Sequence, residues 1–254
     1  NFGLLREFGI AMGQFKRAFV LIIATVVSLV VVATPSFADE SSRVLVENSW
    51  RFQDGQSITL EEDSEDVGIS AYSLSRLPDG VTAQGIDVSE HQGDINWDAV
   101  KASGVDFAIL RVGFGAPSFG GRTDYQFQRN ISECERLGIP YGIYLYSYAW
   151  DDGQAADEAA FVISNIAGHS PQLPIYYDLE DNSIIADGRQ GGIASRASVF
   201  CNRIINAGYK VGIYANLNWF NNILTDPVFN SPSWDHWIAQ YNYQCDYAGK
   251  YGFW

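Results

Sequence analysis

From Gly85 onward, short apolar runs alternate with longer amphipathic ones, and this alternation restricts the fold more than any other feature. The apolar runs are 85–89 (GIDVS), 107–112 (FAILRV), 141–148 (YGIYLYSY), 173–180 (LPIYYDLE), 210–215 (KVGIYA) and 236–241 (HWIAQY). Between them, 96–103, 124–137, 154–166 and 193–206 read as helices. Asn96 supplies an N-cap, and Gly104, Gly138, Gly168 and Gly208 supply stops. Short strands separated by helices give a parallel sheet. The repeated strand–helix period predicts an α/β fold, an irregular TIM-like β/α barrel. No Gly-rich phosphate cradle follows any strand. In such folds chemistry sits at the C-terminal ends of the strands.

The preceding residues follow another pattern. Lys16 and Arg17 are followed by an uncharged run over 18–32, then by Ser36-Phe37-Ala38. This is the layout of a secretory signal peptide cut after Ala38, with 1–11 as an upstream extension. The run is about 15 residues, short of the ~20 that span a bilayer as an anchor helix. Residues 39–84 hold ten acidic and three basic residues and read as an acidic linker or pro-region. Within it, Trp50-Arg51-Phe52 reads either as a patch that packs on the next domain or as a remnant of a small β unit. The expected organisation is therefore 1–38 leader, 39–84 linker and 85–254 catalytic barrel. The product is expected to be secreted or cell-wall associated, with no stable membrane insertion after signal cleavage.

Charge narrows the partners. With 16 Lys plus Arg against 30 Asp plus Glu, the net charge of −14 repels nucleic acid. Three cysteines cannot form a disulfide framework. Cys134 and Cys201 fall inside helices as small apolar groups, and Cys245 is a loop thiol, free or paired with one of them. His91, His169 and His236 lie in unrelated contexts, so no metal and no cofactor are expected. Asn130 opens an Asn-Ile-Ser acceptor pattern, but on a helix.

Carboxylates gather at strand ends. Asp87 ends the first strand; Asp178 and Glu180 end the fourth. The two-residue period puts Asp178 and Glu180 on one face and Leu179 on the other. Two carboxylates at an apolar mouth repel, and one keeps a proton near neutrality, as a general acid for glycosidic cleavage must. The bland alternative is a cap or an ion pair with Arg111. Aromatic side chains crowd the same ends: Tyr146, Tyr148, Tyr176, Tyr177, Tyr214, Trp219, Trp237 and Tyr241. Such rings stack on sugar faces, or simply pack as core. The strand period does not say which of Ile143 and Tyr144 faces the site.

Several stretches resemble, in order, family 25 of the glycoside hydrolases. They are Gly85-Ile-Asp-Val-Ser-Glu-His-Gln-Gly93 with Asn96-Trp97 and Val100-Lys101; Gly138-Ile-Pro-Tyr-Gly-Ile-Tyr144; Tyr176-Tyr-Asp-Leu-Glu180; Gly208-Tyr with Gly212-Ile-Tyr-Ala-Asn216; and Trp237-Ile-Ala-Gln-Tyr241. The resemblance implies a lysozyme (N-acetylmuramidase) that hydrolyses the β-1,4 bond between N-acetylmuramic acid and N-acetylglucosamine in bacterial peptidoglycan, working as a monomer. It implies Glu180 as general acid, Asp178 orienting or stabilising the reacting centre, and Asp87 completing an acidic floor. Substrate contacts are expected from Gln92, Tyr146, Tyr148, Tyr177, Tyr214, Trp237 and Gln240. The alternatives are a non-catalytic wall-binding module of the same fold and a chitinase-like acetamido-sugar hydrolase. Two departures stand out. Arg111-Val-Gly-Phe-Gly115 replaces a Lys-x-Ser/Thr-Glu-Gly stretch found in some members. The family's later Asp after a Trp-Gln-Tyr strand has no counterpart before Trp254, so a barrel incomplete at its C-terminus is the expectation, and with it a weakly stable or inactive fragment unless the natural chain continues.

Overall fold

The computed structural model describes residues 80–254 except 242 and 243, together with the backbone of 52–53 and 56–57. The expected leader lies outside the described residues, as does most of the acidic segment. Within that segment β1 (Phe52–Gln53) pairs antiparallel with β2 (Gln56–Ser57).

The main sheet contains β3 (Gly85–Val88), β4 (Phe107–Phe114), β5 (Arg122–Thr123), β6 (Tyr141–Tyr146), β7 (Ile175–Asp178), β8 (Val211–Asn216) and β9 (Trp234–Ala239). The path β3-β4-β6-β7-β8-β9 is parallel throughout, and β5 adds antiparallel to β4. Among the described residues the helices are α1 (Trp97–Ala102), α2 (Phe127–Leu137), α3 (Asp152–Asn165), α4 (Ile193–Asn206) and α5 (Leu217–Asn222). The α/β architecture expected from the alternation is present, as a curled half-barrel of parallel strands. Strand β5 and helix α5 are additions to the expected set.

Local chemistry sets the helix boundaries. The Asn96 side chain accepts from the Ala99 amide and caps α1. Asp151 caps α3 by accepting from the Gln154 amide at 2.8 Å. Gly138 ends α2 at φ 62°, a conformation that costs a glycine little. Ile193, Ala197, Phe200, Cys201 and Ile204 form one buried stripe along α4.

The sheet separates two layers. On the helix side lie Leu110, Val112, Ile143, Leu145, Ile175, Tyr177, Ile213 and Ala215, all fully buried. On the other side Tyr144, Tyr176 and Tyr214 all meet Trp237, with ring centroids 6.0, 5.3 and 4.5 Å apart. Tyr144 and Trp237 stand on strands three places apart, about 14 Å across a flat sheet. Their contact therefore requires this face to be concave. Gly212 makes room within it, since a Cβ there would lie 2.5 Å from the Tyr176 ring. Near the C-terminus, Phe253 bridges to Trp237 in parallel register and meets the Phe107 ring at 5.2 Å.

Candidate active site

Asp178 is the last residue of β7, between its register neighbours Tyr146 on β6 and Tyr214 on β8. Its side chain faces the concave side and is 2% exposed. Its Oδ1 is buried and has no hydrogen-bond partner among the described residues. Burial, then the nearby Glu180 charge, holds this carboxyl well above the usual carboxylate range, and Arg111 offsets part of that rise. Glu180 follows two residues later, half-buried. Burial pushes its carboxyl up to about 7, with further contributions from the Asp181 and Asp87 charges.

Asp87 is the third member of this acidic group. It stands on β3 with an exposed side chain. The protein packed around it raises its carboxyl, and a hydrogen bond from its own backbone amide lowers it in part. Asp181, which the sequence reading does not single out, accepts from the Tyr146 hydroxyl at 3.1 Å.

The alternative ion pair between Arg111 and the acidic pair is absent from the described contacts. Arg111 instead binds Asp124 at 2.7 Å and lies 3.4 Å from Glu90. Arg122 closes the group, contacting both Glu90 oxygens at 2.6 and 2.8 Å. Hydrogen bonding to Arg122 pulls the Glu90 carboxyl down to about 2. These four charges neutralise one another locally, which leaves the acidic pair without a bonded cation among the described residues.

The expected aromatic contacts divide between two faces. Tyr146, Tyr214 and Trp237 belong to the concave layer, and so does Tyr144. Tyr148 follows β6, 39% exposed, with its ring 5.3 Å from Tyr146. Tyr177 is a correction. It is fully buried on the helix side, stacked on Phe200 at 3.9 Å, with its hydroxyl on Glu158. The strand period puts Tyr177 on the same face as Leu179, so this placement is readable from the sequence. Trp219 is likewise core, buried on α5.

Two expected contacts have other partners. The Gln92 side-chain oxygen accepts from the Ser89 amide at 2.7 Å and closes a capping box. Gln240 exchanges hydrogen bonds with Asp246. His91 is exposed beside Gln92. All three cysteines are free of disulfides, and Asn130 is buried, accepting from the Trp97 indole at 3.0 Å.

A sequence model of the family described as Glycosyl hydrolases family 25 matches residues 86–254. The autolytic lysozyme of Clostridium acetobutylicum is 26% identical over 168 residues, covering 65% of this chain and 49% of that protein. Lysozyme M1 of Streptomyces globisporus is 29% identical over 167 residues, covering 61% and 54%. The chain thus spans about half the length of the curated relatives it matches. Among solved structures, the modular autolysin LytC of Streptococcus pneumoniae superposes with TM-score 0.58 at 29% identity, covering 66% of this chain and 40% of that one. A family 25 glycosyl hydrolase from Bacillus anthracis shares the fold at TM-score 0.54 and 23% identity, covering 64% and 72%.

Proposed function

This chain belongs to family 25 of the glycosyl hydrolases, and we propose that it hydrolyses the β-1,4 bond between N-acetylmuramic acid and N-acetylglucosamine in bacterial peptidoglycan. The observation that carries this reading is the acidic pair. Asp178 is buried on the concave face, and Glu180, beside it, is pushed up to about 7. A carboxyl with that value holds a proton near neutrality and releases it readily, as a general acid requires.

Glu180 donates its proton to the glycosidic oxygen as the C–O bond breaks. The muramic acid carries a 2-acetamido group whose oxygen attacks the anomeric carbon from the opposite face. Asp178 accepts from the acetamido N–H through Oδ1, an atom without another partner among the described residues. Water then opens the cyclic intermediate, giving its proton back to Glu180, and the product keeps the starting configuration. Asp87 adds negative charge near the developing cation. Tyr146, Tyr214 and Trp237 offer rings to the sugar faces. By the same reading residues 1–38 are a cleaved leader and 39–84 an acidic linker. The enzyme then acts outside the cell or on its wall.

Proton NMR of the first product tests this mechanism on purified peptidoglycan glycan. The expected product has a muramic acid reducing end that appears first as the β anomer. An initial α anomer contradicts neighbouring-group participation, and no new reducing end contradicts the activity.

A further inference from the structure

Glu158 lies in the middle of α3 with 0% exposure, on the stripe formed with Ala155, Ala159 and Val162. A carboxylate in that position is costly unless its oxygens are used. Both are. Oε1 accepts from the Tyr148 amide at 2.9 Å. Oε2 accepts from the Tyr177 hydroxyl at 2.5 Å and the Ser147 hydroxyl at 2.9 Å. The Ser147 oxygen in turn accepts from the Ala149 amide at 3.2 Å. The bonds from Ser147 and Tyr148 converge on the segment where the chain leaves β6.

That segment carries two exposed rings, Tyr148 at 39% and Trp150 at 49%. Tyr148 packs edge-on against Tyr146 and against Phe114, with centroids 5.3 and 5.9 Å apart. Tyr146 reaches Asp181, the neighbour of Glu180. A line of contacts therefore runs from a buried carboxylate behind the sheet to the exposed Tyr148 ring, and on through Tyr146 to Asp181.

We propose that Glu158 is a positioning residue, whose carboxylate fixes the Ser147–Ala149 turn so that the Tyr148 ring stands as a shelf for one sugar of the glycan. A mobile ring would lose rotational freedom on each binding event, and a ring held in place loses little. The inference rests on the muramidase reading. It adds a residue that contacts neither sugar nor reacting atoms.

Steady-state kinetics on soluble, peptide-free glycan fragments test it, with thermal melting of every variant as a check on folding. Glu158→Ala and Tyr148→Ala are each expected to raise KM about tenfold, with kcat within about threefold of wild type. The double variant is expected to be no worse than either single one, because both remove the same shelf. Glu158→Gln keeps an acceptor for the Tyr148 amide and is expected to stay within about threefold of the wild-type KM. An unchanged KM in Glu158→Ala, a loss confined to kcat, or multiplying effects in the double variant would overturn the proposal. If Glu158→Ala does not fold, Tyr148→Ala with an unchanged KM overturns it equally. A wild type without turnover removes the muramidase reading and this inference together. An active wild type with an indifferent Glu158→Ala removes only the inference.

Discussion

The Tyr146 hydroxyl donates to the Asp181 carboxylate at 3.1 Å and holds a negative charge one residue from Glu180. Among the charges around Glu180, Asp181 contributes most to its raised carboxyl. Asp181→Asn removes that charge and keeps an acceptor for the tyrosine. The Glu180 carboxyl should fall, so the alkaline limb of the kcat/KM profile, where the acid loses its proton, should move to lower pH. The expected displacement is about half a unit to one unit. A limb that stays in place or moves upward contradicts the assignment.

Stability should depend on pH through Glu158. Burial raises its folded carboxyl to about 7 from an ordinary value of 4.5. The folded state therefore binds the proton more tightly than the unfolded chain. This contribution is fully present below about 4.5 and is lost as pH rises through about 7, at most about 3 kcal/mol in all. Urea unfolding of Glu158→Gln between those limits should give a flatter decline than wild type. Equal slopes would mean that the carboxylate is not the group responsible.

Arg111 should matter more to folding than its position beside the acidic pair suggests. Asp124, its partner at 2.7 Å, has a fully buried side chain. Among the described residues, Arg111→Met leaves that carboxylate with the Glu90 and Gln126 amides as its donors. A loss of about 3 kcal/mol in unfolding free energy is expected, read from the denaturation midpoint at constant slope. The substitution also removes the cation that offsets the rise of Asp178. A loss below about 1 kcal/mol would show that the two amides suffice.

Much of this arrangement is legible in the sequence because it is local. The α4 boundaries follow from an apolar stripe with a glycine stop, and Asn96 announces its helix by its own hydrogen bond. Asp178 is marked by its place at a strand end. Facing is harder. Alternation gives parity but not which parity is inside, so the sequence leaves the choice between Ile143 and Tyr144 open. The structure buries Ile143 in the helix-side core, and the Trp237 contact places Tyr144 on the concave side.

Glu158 escapes notice in the sequence, because an acid within an Ala-rich helix reads as a solvated face. The signal is nonetheless present, since Ala155, Glu158, Ala159 and Val162 follow helical spacing on one buried face. The pairing of Arg111 with Asp124 is not legible. It depends on β5 and the turn after it folding back on β4, a contact that neither segment announces by itself.

The central claim is that Glu180 supplies the proton. Glu180→Gln keeps the size and polarity of the side chain and removes that proton. Turnover of purified peptidoglycan by this variant, measured beside its affinity for the same glycan, tests the claim most directly. The account predicts a fall in kcat of about a thousandfold or more, with affinity within a few-fold of wild type. Turnover within about tenfold of wild type would contradict it.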